Sequence, residues 1–350
     1  MAPSVDGARV LQLHPTRACN LRCRHCYSSS GPEERGGLGV DLLRGAIADA
    51  AEEGYGAVSV SGGEPLLYPG LPELLDEAGG HGLATAVTTN GMLFDERRLE
   101  ELRGRCDLLA IGLDGVPESH DRMRARPGAF AAMEGRLEDV REAGLTFGFL
   151  FTLTRANAHE LGWIADFAIA QGASLLQIHP LEETGRARQT LAGAAPDDFE
   201  SAFAWVVANR LRDSLRGRLS VHVDLLDRAA LRLGLAPAPD GGPSGLEPLA
   251  PAAEPGSGPA WARRLADLVA PLVVEADGAV VPFRYGFPRA FALGTLEEAR
   301  LRFLAVRWRV RRLAAFTEIV RRTAFELAGP ADPPFVNWHE EVARRAEAAA

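Results

Sequence analysis

Cys19-Asn20-Leu21-Arg22-Cys23-Arg24-His25-Cys26 follows closely on the apolar run Arg9 to Leu13, and the reading of this stretch decides the fold. It holds three of the chain's 4 cysteines on what reads as a loop after a first β-strand. Thiolates are the ligands of iron-sulfur clusters, and three on one loop can bind three irons of a 4Fe-4S cluster, leaving the fourth iron open. The same triad with His25 or His14 as a fourth ligand also suits structural zinc, since Cys3His is an accepted zinc set. Buried cysteines of no special role are the third reading.

Outward from the triad, the chain reads as alternating short β-type runs and amphipathic helical segments. The predicted strands are Arg9–Leu13, Ala57–Ser61, Ala84–Thr88, Leu108–Leu113, Thr146–Leu153 and Leu175–His179. Helices are predicted over Val40–Glu53, Leu71–Gly80, Asp95–Arg103, Ala129–Ala143 and His159–Gln171, with Gly54, Gly82, Gly144 and Gly172 as left-handed caps. Six βα units in a row predict a parallel sheet with right-handed crossovers. The expected fold is α/β: a partial (β/α)6 TIM-like barrel with a small C-terminal α/β cap. Polar and special residues gather after the strand ends, the rim where such folds place ligands.

The expected organisation is a core barrel over 8–187, a helical extension over 188–234, a flexible Pro/Gly-rich linker over 235–260, a cap over 261–330 and a tail over 331–350 that frays from Glu340. Within the cap, Leu272–Glu275 and Val280–Phe283 flank Asp277-Gly278 and predict a β-hairpin. Length and 47% hydrophobic content suffice for one large α/β domain plus an appendage. No disulfide framework, signal-peptide core or spanning helix is evident, so a cytoplasmic protein off the membrane is expected. A formal charge of −9 argues against a nucleic-acid partner. The basic stretch Arg300–Arg312, interleaved with apolar residues, predicts an amphipathic helix with a solvated face.

Cys19-x3-Cys23-x2-Cys26 after strand one, with Gly62-Gly63-Glu64-Pro65 after strand two, closely resembles the radical S-adenosylmethionine (radical SAM) enzymes over residues 8 to about 187. The resemblance implies one 4Fe-4S cluster on Cys19, Cys23 and Cys26, with SAM chelating the open iron. It further implies reductive cleavage of SAM to a 5′-deoxyadenosyl radical that abstracts hydrogen from a substrate. Gly62 and Gly63 suit a close backbone approach to a ligand, and the Glu64 carboxylate suits SAM's ammonium group. His25 or Tyr27 stands where the family carries a ring near adenine. Asn90, in Thr88-Thr89-Asn90-Gly91, is a turn former that also suits a polar contact to SAM. Asp114, in Gly112-Leu113-Asp114-Gly115, resembles the family's ribose-side Ser-Leu-Asp-Gly, with glycine replacing serine. Asn157 is a candidate SAM contact and Leu181 a candidate adenine floor. Glu118-Ser119-His120-Asp121-Arg122 defaults to surface salt bridging.

His179-Pro180-Leu181 through Gly185-Arg186-Ala187 and the Asp277-Gly278-x-Val280-x-Pro282 hairpin resemble the subgroup with a SPASM-type extension. There the hairpin continues into a cysteine for auxiliary clusters; here Phe283 stands in that place and no cysteine follows Cys106. The cap therefore reads as a degenerate SPASM-like lid, and Cys106 as a buried apolar group. The resemblance implies a peptide or natural-product substrate, with a tetrapyrrole or other small metabolite as the alternative, and an electron donor such as flavodoxin or ferredoxin. Strand one starts at residue 9, so a separate peptide-recognition protein is expected in place of a leader-binding domain. A non-catalytic SAM- or zinc-binding accessory protein is the reading of another class.

Overall fold

The computed structural model describes residues 8–229, 231, 263–329 and 333–350; the predicted linker over 235–260 lies outside them. Its strands are β1 (Val10–Leu13), β2 (Ala57–Val60), β3 (Ala84–Thr89), β4 (Leu108–Gly112), β5 (Phe147–Leu153), β6 (Leu175–Pro180), β7 (Ser220–Val223), β8 (Leu226–Asp227), β9 (Leu272–Val274), β10 (Ala279–Pro282), β11 (Gly294–Thr295) and β12 (Phe335–Val336). The main sheet has ten strands in the order β11-β10-β9-β1-β2-β3-β4-β5-β6-β7. From β1 to β7 every pairing is parallel, and helices cross between them. Such strands are covered on both faces, so they consist almost wholly of apolar residues, as in the Phe147–Leu153 run. The six expected βα units are present in an open, parallel-rich sheet.

Two extensions of that sheet go beyond the sequence reading. Ser220–Val223 joins β6 as a seventh parallel strand, after the helix Asp198–Ser214, which starts on a capping box between Asp197 and Glu200. At the other edge, the hairpin of β9 and β10 is no detached cap: Leu11, Gln12 and Leu13 of β1 pair in parallel with Leu272, Val273 and Val274. The barrel rim and the C-terminal region thus share one hydrogen-bonded layer.

Several helices differ from their predicted extents. The segment 129–143 divides into Ala129–Glu134 and Leu137–Glu142 around Gly135, and the basic segment divides at Arg312 into Leu301–Arg311 and Leu313–Leu327. The break lets Leu304 and Trp308 of one helix and Phe316 and Val320 of the next enter the same core. Its arginines are only partly a solvated face: Arg300 reaches the buried Asp49 at 2.6 Å and Arg309 pairs with Glu53, while Phe303, Val306 and Val310 are exposed. Among the described residues no helix is long and apolar enough to cross a membrane.

The C-terminal end, expected to fray from Glu340, is a helix over Trp338–Ala349. Asn337 caps it by accepting from the Glu340 amide, and Val342, Ala343 and Ala346 are buried against the core. Alanine lacks bulk, and here that lets the helix approach closely. Val342→Asp is expected to lower unfolding free energy by about 3 kcal/mol in denaturant melts, because a buried carboxylate gains no partner there. Glu347→Ala, on the exposed side, is expected to change it by no more than about 0.5 kcal/mol.

Candidate functional site

The cysteine loop departs from the end of β1 and is held on all sides by its own backbone groups. Cys19 N donates to Gly31 O and Gly31 N to Arg17 O, closing the loop's base. Gly185 and Arg186, after β6, form a second clamp. The Arg186 guanidinium donates to the carbonyls of Cys23 (2.9 Å), Ser29 (3.1 Å) and Ser30 (2.6 Å), and its amide donates to Cys26 O at 2.9 Å. A Cβ on Gly185 would collide with the Tyr27 carbonyl. These contacts give the Gly185-Arg186 motif a physical role that its sequence did not disclose.

Gly62 and Gly63 complete the enclosure from β2. Gly63 N donates to Thr16 O at 2.8 Å and Glu64 N to Ala18 O at 2.9 Å, so the turn lies flat against the chain entering the cysteine loop. Gly62 sits at φ +111°, and a Cβ on Gly63 would run into the Ala18 carbonyl. The close approach foreseen toward a ligand is thus made first of all to the cysteine loop. Glu64 is wholly buried: Oε1 accepts from Thr89 Oγ1 (2.8 Å) and the Leu66 amide (3.1 Å), and Oε2 from the Asn90 amide (2.9 Å). It ties the turn after β2 to that after β3, with Pro65 buried beside it.

Inside this frame lies a cavity of about 200 Å³. Cys19, Cys23 and Cys26 line it, as do His25, Tyr27, Gly62, Gly63, Asn90 and Leu181. Glu64, Pro65, Asp114 and Asn157 do not; they stand behind its wall. Asn157 brackets a turn, accepting from Thr154 and donating to Asp114 O and Thr152 O. Cys106 lies in the apolar core, where burial pushes its thiol up to about 12.

Burial pushes the Cys19 thiol up to about 12 and the Cys23 thiol up to about 11, with neighbouring thiols adding to the rise and Arg124 opposing it at Cys23. Such thiols ionise together only beside a compensating positive charge, which is what a bound metal centre provides. Among the described residues no three His, Cys, Asp or Glu side chains converge closely enough to ligate a single metal ion. A four-iron cluster, whose thiolates bind different irons, asks for wider spacing than one tetrahedral zinc. Three thiols of one loop, lining one cavity, form a donor set that fits such a cluster.

Arg124 is the residue of this site that sequence reading missed. Its Nε lies 2.7 Å from Asp114 Oδ2 as a buried ion pair, and Nη1 approaches Cys23 Sγ at 4.0 Å. Burial alone would raise the Asp114 carboxyl; Arg124, helped by His25 and His120, holds it below the usual carboxylate range. A Cβ at residue 112 would collide with the Arg124 guanidinium, so the glycine that replaces serine makes room for the arginine. His120 accepts from the Asp114 amide, Ser119 bonds to Glu160, and Asp121 receives the amides of Gly128 and Phe130. The segment expected to form surface salt bridges is only partly at the surface: the helix Pro117–Arg124 turns Ser119, His120 and Arg124 inward as bracing, while Glu118 and Arg122 stay exposed. Burial lowers His25 to about 4, leaving a neutral ring whose Nδ1 has no protein partner among the described residues.

On the β6 side the wall carries His179 and Glu182. His179 Nδ1 bonds Asp224 Oδ2 at 2.7 Å, and Asp224 Oδ1 also accepts from Gln177 at 2.8 Å. Glu182 pairs at 2.7 Å with Arg284 of the C-terminal hairpin, which also holds Glu340 at 2.6 Å. Phe283, where the resembled subgroup has cysteine, is buried at φ +64° against Phe287, Phe316 and His339. Aromatic packing fills this corner of the hairpin.

Arg186→Ala is expected to speed labelling of Cys23 and Cys26 by a thiol reagent about tenfold, since each local carbonyl bond restrains opening; Arg188→Ala, on the exposed side, is expected to leave the rate unchanged. Burial lowers the His179 imidazole, but the Asp224 hydrogen bond and charge, with Glu182, outweigh it and bring it to about 9. The ion pair's stabilisation is therefore complete below pH 6.5 and is lost as pH rises through about 9. Imidazole NMR is expected to show this titration, and Asp224→Asn to return it toward or below 6.5.

Residues 13–168 match the family model described as the Radical SAM superfamily. An Fe-coproporphyrin III synthase of Methanosarcina barkeri is 31% identical over 185 residues, 52% of this chain and 46% of the relative. A mycofactocin maturase, MftC, of Mycobacterium ulcerans is 31% identical over 236 residues, 66% of this chain and 63% of the relative. The chain thus spans about half to three fifths of these curated relatives' length. Streptococcus suis SuiB, solved with bound S-adenosylmethionine, superposes with a TM-score of 0.66 at 16% identity over 89% of this chain and 68% of SuiB, a likeness of fold. The cysteine loop, the Gly-Gly-Glu turn and the central parallel strands all lie within or beside the stretch, residues 13–168, that matches the Radical SAM superfamily model.

Proposed function

We propose that this protein is a radical SAM enzyme that abstracts hydrogen from a C–H bond of a peptide or natural-product substrate. The observation that carries the reading is a single cavity walled on one side by three cysteines of one loop and on another by the Gly62-Gly63 turn. In this reading Cys19, Cys23 and Cys26 bind one 4Fe-4S cluster. The peptide groups of Gly62 and Gly63, together with Asn90, receive SAM's methionine part, and His25, Tyr27 and Leu181 flank adenine. Glu64, Pro65, Asp114 and Asn157 act from behind the wall by fixing the turns. When bound, the reduced cluster and SAM supply a 5′-deoxyadenosyl radical.

The protein's own task is position and exclusion of water. Tyr27 is fixed by its 3.1 Å hydrogen bond to Ser61 and by ring contacts to His14 and Tyr285. The hairpin pairs with β1 and carries no cysteine, and the electron for the one cluster held by Cys19, Cys23 and Cys26 would come from a donor such as flavodoxin or ferredoxin in the cytoplasm. The maturase relative supports a peptide substrate, and this reading adds a separate recognition protein to present it. The Fe-coproporphyrin III synthase supports the second reading, a tetrapyrrole or other small metabolite. A non-catalytic SAM- or zinc-binding role is the reading from another class.

Anaerobic reconstitution with iron and sulfide, followed by SAM and dithionite, is expected to yield 5′-deoxyadenosine detectable by mass spectrometry, and Cys23→Ala to abolish it. Bound zinc with no 5′-deoxyadenosine would overturn the reading.

A further inference from the structure

We propose that His179 is a substrate-binding group whose Nε2–H receives a carboxylate of the molecule modified in this cavity. The proposal deepens the radical SAM reading and rests on it. His179 projects from the end of β6 onto the wall of the cavity that the three cysteines also line. Its Nδ1 is engaged by Asp224 at 2.7 Å, and Asp224 is itself steadied by Gln177 at 2.8 Å. A carboxylate behind one ring nitrogen fixes the ring and keeps the other nitrogen a donor.

Among the described residues, that second nitrogen has no acceptor within hydrogen-bonding distance. The nearest acidic oxygen, Glu182 Oε1, is 3.9 Å away, beyond hydrogen-bonding distance, while the other Glu182 oxygen is tied to Arg284 at 2.7 Å. Arg284 in turn engages Glu340 at 2.6 Å, so Glu182 belongs to an ion network that joins the barrel rim to the C-terminal helix. The other basic groups on the cavity wall face Asp114: Arg124 is paired with it at 2.7 Å, and His25 Nε2 lies 3.9 Å from the same carboxylate. Among the described cavity residues, His179 is thus the cationic group with an N–H left to offer.

Pockets orient ligands through a few such placed polar groups, and a charge-assisted bond to a carboxylate is the strongest this donor can make. Carboxylates come from acidic peptide side chains and from small organic acids alike. The shared chemistry is recognition of the carboxylate.

Imidazole NMR on the full, metal-loaded chain labelled with 15N-histidine tests this, with His179 assigned by the resonance lost in His179→Gln. The probes are N-acetyl-Ala-Glu-Ala-amide and hexanoate, and their neutral partners N-acetyl-Ala-Gln-Ala-amide and hexanamide. Both acids are expected to shift the His179 resonance saturably and at concentrations about tenfold lower than their amides. Asp224→Asn is expected to remove that preference, whereas a merely structural His179 would show none to remove. The peptide saturating first marks a peptide source, and hexanoate saturating first marks a small acid. Equal responses to acid and amide, or acids that leave His179 unmoved, would overturn the proposal. The readout consumes no SAM, so a protein that yields no 5′-deoxyadenosine fails the radical SAM reading separately.

Discussion

The constraint on which this structure depends is the backbone of one irregular loop. Cys19, Cys23 and Cys26 lie on irregular backbone, neither helix nor strand, so the peptide groups of this loop must find donors and acceptors outside regular ladders. Arg186 answers with four donated hydrogen bonds from β6's side, three from its guanidinium and one from its amide, and Gly63 and Glu64 answer with two from β2's side. The central strands matter to the site through these clamps. They hold at the cavity wall the thiols of Cys19 and Cys23, which burial makes reluctant to ionise without a compensating positive charge.

Behind the cavity, charge is treated the same way: it is buried only where it is paired. Asp114 and Arg124 form an ion pair that would cost several kcal/mol if either were removed alone, because the other would be left uncompensated in the interior. Gly112 is part of that pair's geometry, since any side chain there would displace the guanidinium. On the opposite wall, the network of Glu182, Arg284 and Glu340 links the rim to the C-terminal hairpin and helix. The hairpin, whose β9 lies on β1 and whose β10 pairs with β11, extends the sheet and is followed by Arg284, which holds Glu182 on the cavity wall.

Local signals in the sequence were legible. The six strands, the glycine caps at Gly54, Gly82, Gly144 and Gly172 with positive φ, and the order of motifs along the rim all appear as read. What depends on distant pairing was not: Leu11 meets Leu272 across the whole barrel sequence, and no local pattern marks that register. Arg124 sits among Arg122 and Arg126, and composition does not say which arginine turns inward; the signal was Gly112, read only as a lost hydroxyl. Glu64 and Asp114 were read as facing a ligand because carboxylates suit ligands, yet both are engaged by nearer groups first. The terminal alanines looked frayed because their packing depends on a surface supplied by the rest of the chain.

In the proposed function the three-cysteine loop holds a cluster with one iron open to SAM. Electron paramagnetic resonance of the anaerobically reconstituted, dithionite-reduced protein, recorded before and after SAM, tests it most directly. The account predicts a reduced 4Fe-4S signal whose g-values move on adding SAM, because the cofactor meets the open iron. A cluster signal indifferent to SAM, or bound zinc in place of iron, would contradict it.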